Sequence, residues 1–137
     1  MGLSSAAETL LTFLTSKQLL PGSWANAINN QLFSIQTATA STTQTQAGGT
    51  KITSGSAAVT TANANDAVTL PKGYAGLQIF IANLSADALG VFPAAGDTVF
   101  PSAADAVLAQ TASKSAIYKV VKVTAAGACT WYKNESA

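Results

Sequence analysis

The chain predicts a mainly β fold: a small antiparallel sandwich or barrel-like domain, preceded by a short N-terminal helical segment and an extended arm. Three observations carry this reading. Short apolar runs recur from Ala57 onward, each bounded by a turn composition such as Pro71-Lys72-Gly73, Asn83-Leu84-Ser85-Ala86-Asp87 or Pro93-Ala94-Ala95-Gly96-Asp97. The gaps between runs are too short for a crossover helix, which argues against parallel βαβ units. Large apolar residues at helical spacing are confined to the first 35 residues.

Taken in order, Ser5-Ala6-Ala7-Glu8 matches a capping box, in which hydroxyl and carboxylate each satisfy an N–H without a partner at a helix start. A helix over 6–19 follows, with Leu3, Ala7, Leu10, Leu11 and Leu14 on one face. Leu20-Pro21-Gly22 ends it, because proline has no N–H with which to continue the ladder. Ser23 caps a second, shorter helix carrying Trp24, Ala27, Ile28, Gln31 and Leu32 on one side. Leu10, Leu14, Trp24, Ile28 and Leu32 are the candidate anchors, packing within the chain or docking on a partner or a second copy. Residues 36–56 are rich in Thr, Ser, Gln, Ala and Gly and almost free of large apolar side chains. That composition predicts a linker, an extended arm, or a strand laid on another surface. The organisation is therefore a helical segment (1–35), a linker or arm (36–56) and a β-domain (57–137).

Strands are expected at 57–61, 68–70, 77–83, 89–92, 98–100, 106–110, 115–124 and 128–133. Leu77, Ile79 and Ile81 share one face of the central strand and Gln78, Phe80 and Ala82 the other; Phe80 there implies that both faces are covered. Along 115–124, strict alternation gives each face one lysine. A bulge near Val120 and Val121 instead turns Ala116, Tyr118, Val121 and Val123 inward and both Lys119 and Lys122 outward. Ala125-Ala126-Gly127 makes a hairpin turn, after which Trp131 and Tyr132 lie on opposite faces, one ring in the core and the other near an interface or solvent. The turns at 71–73 and 93–97 are the parts of this region expected to meet a partner.

Composition bounds the function. The apolar fraction is 48%, but 28 of those residues are alanine, so the core is small and association is the expected extra source of stability. The one cysteine, Cys129, forms no intramolecular disulfide and reads as a small buried strand residue. A net charge of +1 from lysines alone, with no arginine or histidine, argues against nucleic-acid binding. The first 20 residues lack a basic leader and are interrupted by Glu8 and Lys17, so neither a secretory signal nor a membrane span is expected.

Without histidine there is no Ser-His-Asp triad, Cys-His pair or His metal site. Asp66, Asp87, Asp97 and Asp105 all sit in turn contexts, where Asp bonds local N–H groups, and the spaced ligands of a calcium loop are missing. No enzyme activity, cofactor or metal is therefore expected. Tyr74 and Trp131 are candidates for surface recognition, since sugar sites use an exposed ring beside Asp or Asn, and Tyr132 could supply such a ring as well.

The phrases Val68-Thr69-Leu70-Pro71, Gly76 to Asn83, Val91-Phe92-Pro93-Ala94-Ala95-Gly96-Asp97-Thr98 and Lys114 to Tyr118, with Trp131 in the last strand, resemble a β-module of tailed-bacteriophage structural proteins. These are capsid decoration (cement) proteins and head-fibre components, and the resemblance covers the second half of the chain. It implies a non-enzymatic virion protein, made in the host cytoplasm, that decorates and stabilises the capsid exterior. The implied partners are the major capsid protein and further copies of the chain, with a homotrimer favoured. The alternative it leaves is a fibre-borne module that binds a host glycan.

Overall fold

The computed structural model of the chain describes residues 34–137. The expected helical segment, with Leu10, Leu14, Trp24, Ile28 and Leu32, lies outside the described residues. Ten strands follow one another: β1 Ile35–Thr39, β2 Thr50–Lys51, β3 Ser56–Thr60, β4 Ala67–Thr69, β5 Gln78–Asn83, β6 Leu89–Phe92, β7 Thr98–Phe100, β8 Leu108–Gln110, β9 Ser115–Val123 and β10 Cys129–Glu135. They form a six-stranded sheet, ordered β1-β3-β5-β9-β10-β7, and a four-stranded sheet, ordered β2-β4-β6-β8. All eight expected strands are present, and the fold is mainly β.

The expected antiparallel pairing is corrected. Among the described residues five of the eight strand pairs are parallel: β1 with β3, β3 with β5, β2 with β4, β4 with β6, and β7 with β10. The reason lies in the path of the chain, which changes sheet at every connection from β1 to β9. A parallel pair needs a crossover of a dozen or more residues, usually a helix. Here the crossover is a strand of the opposite sheet. Ile35 lies beside Ser56 and Ser56 beside Phe80, so successive turns of this coil take 21 and 24 residues.

The stretch 36–56, expected as a linker or arm, is instead built into the sheets as β1, β2 and the start of β3. Its inward side chains are small, with Ala38 and Ala40 buried, and Ile52 supplies the one large apolar group. Its glutamines do the rest, bonding main-chain groups of neighbouring loops. Gln36 donates from Nε2 to the Lys51 carbonyl (2.9 Å) and accepts from the Thr53 N–H (2.8 Å). Gln44 donates to the Ala64 carbonyl (2.9 Å) and Gln46 to the Pro93 carbonyl (2.9 Å). At Gly49 a Cβ would come within 2.5 Å of Thr69 Oγ1, which explains the glycine where two strands approach closely.

One core cluster lies between the sheets. The larger sheet contributes Val59, Ile79, Ile81, Val99, Tyr118 and Trp131, and the smaller Val68, Leu89 and Val91. Cys129 is buried and free. The irregularity expected in β9 is present: Trp131 pairs with Val120 but Thr130 with Lys122, leaving Val121 without a counterpart. Ala116, Tyr118 and Val120 face the core, while Lys119 and Lys122 are exposed. Val121 and Val123, expected inside, are exposed as well, because the bulge marks where β9 leaves the core.

Two buried polar side chains hold the corners. Gln110 donates from Nε2 to the carbonyls of Ile81 (3.0 Å) and Lys114 (2.9 Å) and accepts from the Tyr118 hydroxyl (3.0 Å). Asp97 accepts from the N–H groups of Cys129 (2.8 Å) and Gly73 (3.1 Å) and from Lys72 Nζ. It thereby ties the 71–73 turn and the start of β10 to the β6–β7 corner. Asp97→Ala strips these buried N–H groups of their acceptor, and is expected to cost about 3 kcal/mol in a denaturant titration of the full chain.

Candidate interaction surface

Alternation along the strands of the larger sheet gives it an outer face, on the side away from the core. Strand register sorts that face into rows. Ile35, Ser56, Phe80, Ile117 and Asn134 lie side by side across β1, β3, β5, β9 and β10. The neighbouring row is Gln78, Lys119, Tyr132 and Phe100 on β5, β9, β10 and β7. The large apolar members are open to solvent: Ile35 is 59% exposed, Phe80 40% and Ile117 41%. Phe100 and Tyr132 are exposed too, and their rings stack with centroids 6.1 Å apart and an interplanar angle of 16°. An open groove of about 210 Å3 has Phe80 and Ile117 among its lining and Asn134, Glu135 and Ser136 beside them. Ser56, Gln78, Lys119 and Asn134 intersperse these apolar side chains, so the face is mixed rather than continuously apolar.

The two residues nominated for recognition behave differently. Tyr74, in the loop before β5, is 54% exposed. Trp131 is 0% exposed and packs in the core, so it presents no surface; that expectation is corrected. Trp131 and Tyr132 do point to opposite faces, as alternation requires, but the ring available to solvent is Tyr132. The glycan reading thus retains Tyr74 and Tyr132 and loses Trp131. The turns at 71–73 and 93–97 are tied inward at Asp97, with Pro93 also buried. Missing from the sequence reading was the outer face as a unit. Phe80 was its one visible signal, because assembling the rows requires the register of strands that are distant in sequence.

The carboxyls of Asp66, Asp97, Asp105 and Glu135 are engaged in loop and corner bonds. Burial pushes the Asp66 carboxyl up, but the N–H groups of Asn63 and Ala62, each 2.9 Å from Oδ2, together with the side chains of Gln44 and Asn63, outweigh it and hold the group below its ordinary 3.8. Asp105 is held low by Gln46 Nε2 (3.0 Å) and the Gly96 N–H (2.6 Å). Glu135 is raised by burial and lowered further by Lys133 (2.5 Å) and the Thr111 N–H (2.6 Å), the net direction being down. Lys72 is raised, chiefly by its hydrogen bond to Asp97. Among the described residues no group of three or more His, Cys, Asp and Glu side chains is placed to hold a metal.

No protein-family model matches the chain, and no curated protein matches its sequence.

The three carboxyls have folded-state pKa values below their unfolded ones, so their stabilisation is complete above the ordinary 3.8 to 4.5 range and is lost as pH falls through the folded values. The melting temperature is expected to stay flat from pH 7 to about pH 5 and to drop below about pH 4. Lys72 acts at the other end: its contribution is present below its ordinary 10.5 and is lost as pH rises through the raised folded value. Calorimetry across pH 2–11 checks both limbs.

Proposed function

We propose that this protein is a non-enzymatic virion structural protein that decorates and stabilises a phage capsid. The observation that supports the reading best is what the described domain leaves for a partner. The side chains of Asp66, Asp97, Asp105 and Glu135 are used in internal bonds, and the accessible surface is mostly Ala, Thr, Ser and apolar side chains with little charge. A surface of that kind suits broad contact with a protein shell, and obligate contacts of this sort bury upwards of about 2,000 Å2. The phrase Val91 to Thr98, which resembles the phage module, forms the β6–β7 corner closed by Asp97.

In this reading the β-domain is a head and residues 1–33 are its attachment. That segment precedes β1, which starts at Ile35 and is an edge strand of the larger sheet. Leu10, Leu14, Trp24, Ile28 and Leu32 are its candidate anchors for capsid or inter-subunit contact. The assembled unit is a homotrimer on the capsid exterior, with the major capsid protein as partner. A fibre-borne glycan module is the second reading; of its candidate rings Tyr74 and Tyr132 are exposed and Trp131 is buried.

The test is the full chain carrying Leu10→Asp and Leu14→Asp, produced together with the cognate capsid shells. The thermal transition of the β-domain is expected to remain, while the amount co-sedimenting with shells falls at least about tenfold, the equivalent of one lost apolar anchor. Undiminished co-sedimentation overturns the docking assignment.

A further inference from the structure

An edge strand presents a row of main-chain N–H and C=O groups that no neighbouring strand pairs, and natural proteins block such rows. The two sheets have four edges, β1 and β7 on the larger and β2 and β8 on the smaller. Three of them are blocked. Along β8 the Val107 carbonyl accepts from Ser102 Oγ (3.1 Å), the Ala109 carbonyl accepts from Lys133 Nζ (2.8 Å), and the Thr111 N–H donates to Glu135 (2.6 Å). Beside β7 the chain folds back, with Ala104 bridging to Thr98 and the Ser102 N–H donating to the Val99 carbonyl (2.8 Å). On β2 the Gln36 amide occupies the Lys51 carbonyl and the Thr53 N–H.

The exception is β1. The bond from the Ala40 N–H to the Thr60 carbonyl (2.8 Å) sets its phase: Gln36, Ala38 and Ala40 turn their main-chain groups toward β3, while Ile35, Thr37 and Thr39 turn theirs away. Of that outward set, only the Thr39 carbonyl has a partner among the described residues, Thr50 Oγ1 at 2.7 Å. With five residues β1 is also the longest edge, against three each for β7 and β8 and two for β2. It carries none of the usual deterrents, because residues 34–50 contain no charged side chain and no proline.

We infer that β1 pairs antiparallel with β1 of a second copy of this chain, about a twofold axis at Thr37, joining two larger sheets into one. The phase and composition of the strand fit this occupant. With Thr37 opposite its own copy, Ile35 lies opposite Thr39, so the residues whose groups point outward meet as hydrogen-bonded pairs and exchange about six bonds. Those residues are all β-branched, and the side chains that meet are Ile with Thr and Thr with Thr, pairs that favour strand association. A twofold contact sets each group near its own copy, where a charge repels itself. Residues 34–50 supply no such charge. The edge alone buries less than the roughly 1,200 Å2 of a stable interface, so the dimer depends on concentration. The contact closes with two chains and rests neither on the capsid reading nor on residues 1–33.

Cysteine cross-linking of the full chain tests it. Under mild oxidation Thr37→Cys is expected to give a disulfide-linked dimer, since opposed positions in such a pair hold their Cα atoms about 5.5 Å apart, within disulfide reach. Thr60→Cys, exposed on β3, lies three strand spacings from its copy, roughly 14 Å, and is expected to give at least about tenfold less dimer. Cys129 is buried and does not compete. Adding Ile35→Pro to the Thr37→Cys chain removes an outward N–H and leaves the β1–β3 ladder whole; dimer yield is expected to fall about tenfold while the thermal transition remains. Absence of dimer, equal yields from positions 37 and 60, or a yield indifferent to Ile35→Pro overturns the inference. Slow amide exchange at Thr37 in the monomeric wild-type chain overturns it in favour of a strand supplied by residues 1–33.

Discussion

The structure depends on one constraint of chain path: from β1 to β9 every connection carries the backbone from one sheet to the other. Neighbours within a sheet are therefore separated by a full turn of the coil, which makes parallel pairing possible without a helix. The same path requires repeated corners within a few residues. Corners consume main-chain hydrogen-bonding groups that no ladder can pair, so buried side chains take over that role. Asp66 caps the N–H groups of Ala62 and Asn63, and Asn83 donates to the carbonyls of Asp87 and Thr111. Asp97 and Gln110 do the same where β10 and β9 return to the core.

This economy compensates for a core with little bulk. Trp131 and Tyr118 provide much of its volume, and around them many inward positions are alanine, including Ala38, Ala57, Ala67 and Ala116. Small side chains let the two sheets approach, but each offers little apolar area. What the core lacks in area is made up by polar side chains whose geometry fits one arrangement of loops. Glutamine is well suited to this because its amide matches the backbone as both donor and acceptor. Gln36 replaces a missing stretch of ladder between β1 and the loop that follows β2.

Much of the β architecture was legible in the sequence because turn chemistry is local. The strands 89–92 and 98–100 were placed at their observed ends, and the defect near Val121 followed from the two lysines of β9. What failed was everything that depends on partners distant in sequence. Parallel pairing was dismissed for want of helices, although the opposite sheet supplies the crossover. The composition of residues 36–56 predicts a linker or arm because large apolar side chains are scarce there, whereas Ala38 and Ala40 are buried with very little bulk. Trp131 and Tyr132 could be assigned to opposite faces by alternation, but which of them faces inward is decided by the register of β10 against β9 and β7. The outer face as a whole is beyond the sequence for the same reason, since its members come from six strands.

The coiled path from β1 to β6 has a further implication, for how such a domain changes length. Because each circuit crosses both sheets and returns one strand spacing further along, an insertion of about 20 residues adds a rung to each sheet and leaves existing pairings in register. A shorter insertion has no rung to join and must bulge at a corner. The natural unit of variation is therefore the circuit rather than the residue, and it acts at the β1–β2 end, where both sheets stop. That end is also where the described chain enters the larger sheet at Ile35, so elongation there leaves the contacts of Trp131, Asp97 and the final hairpin unaltered.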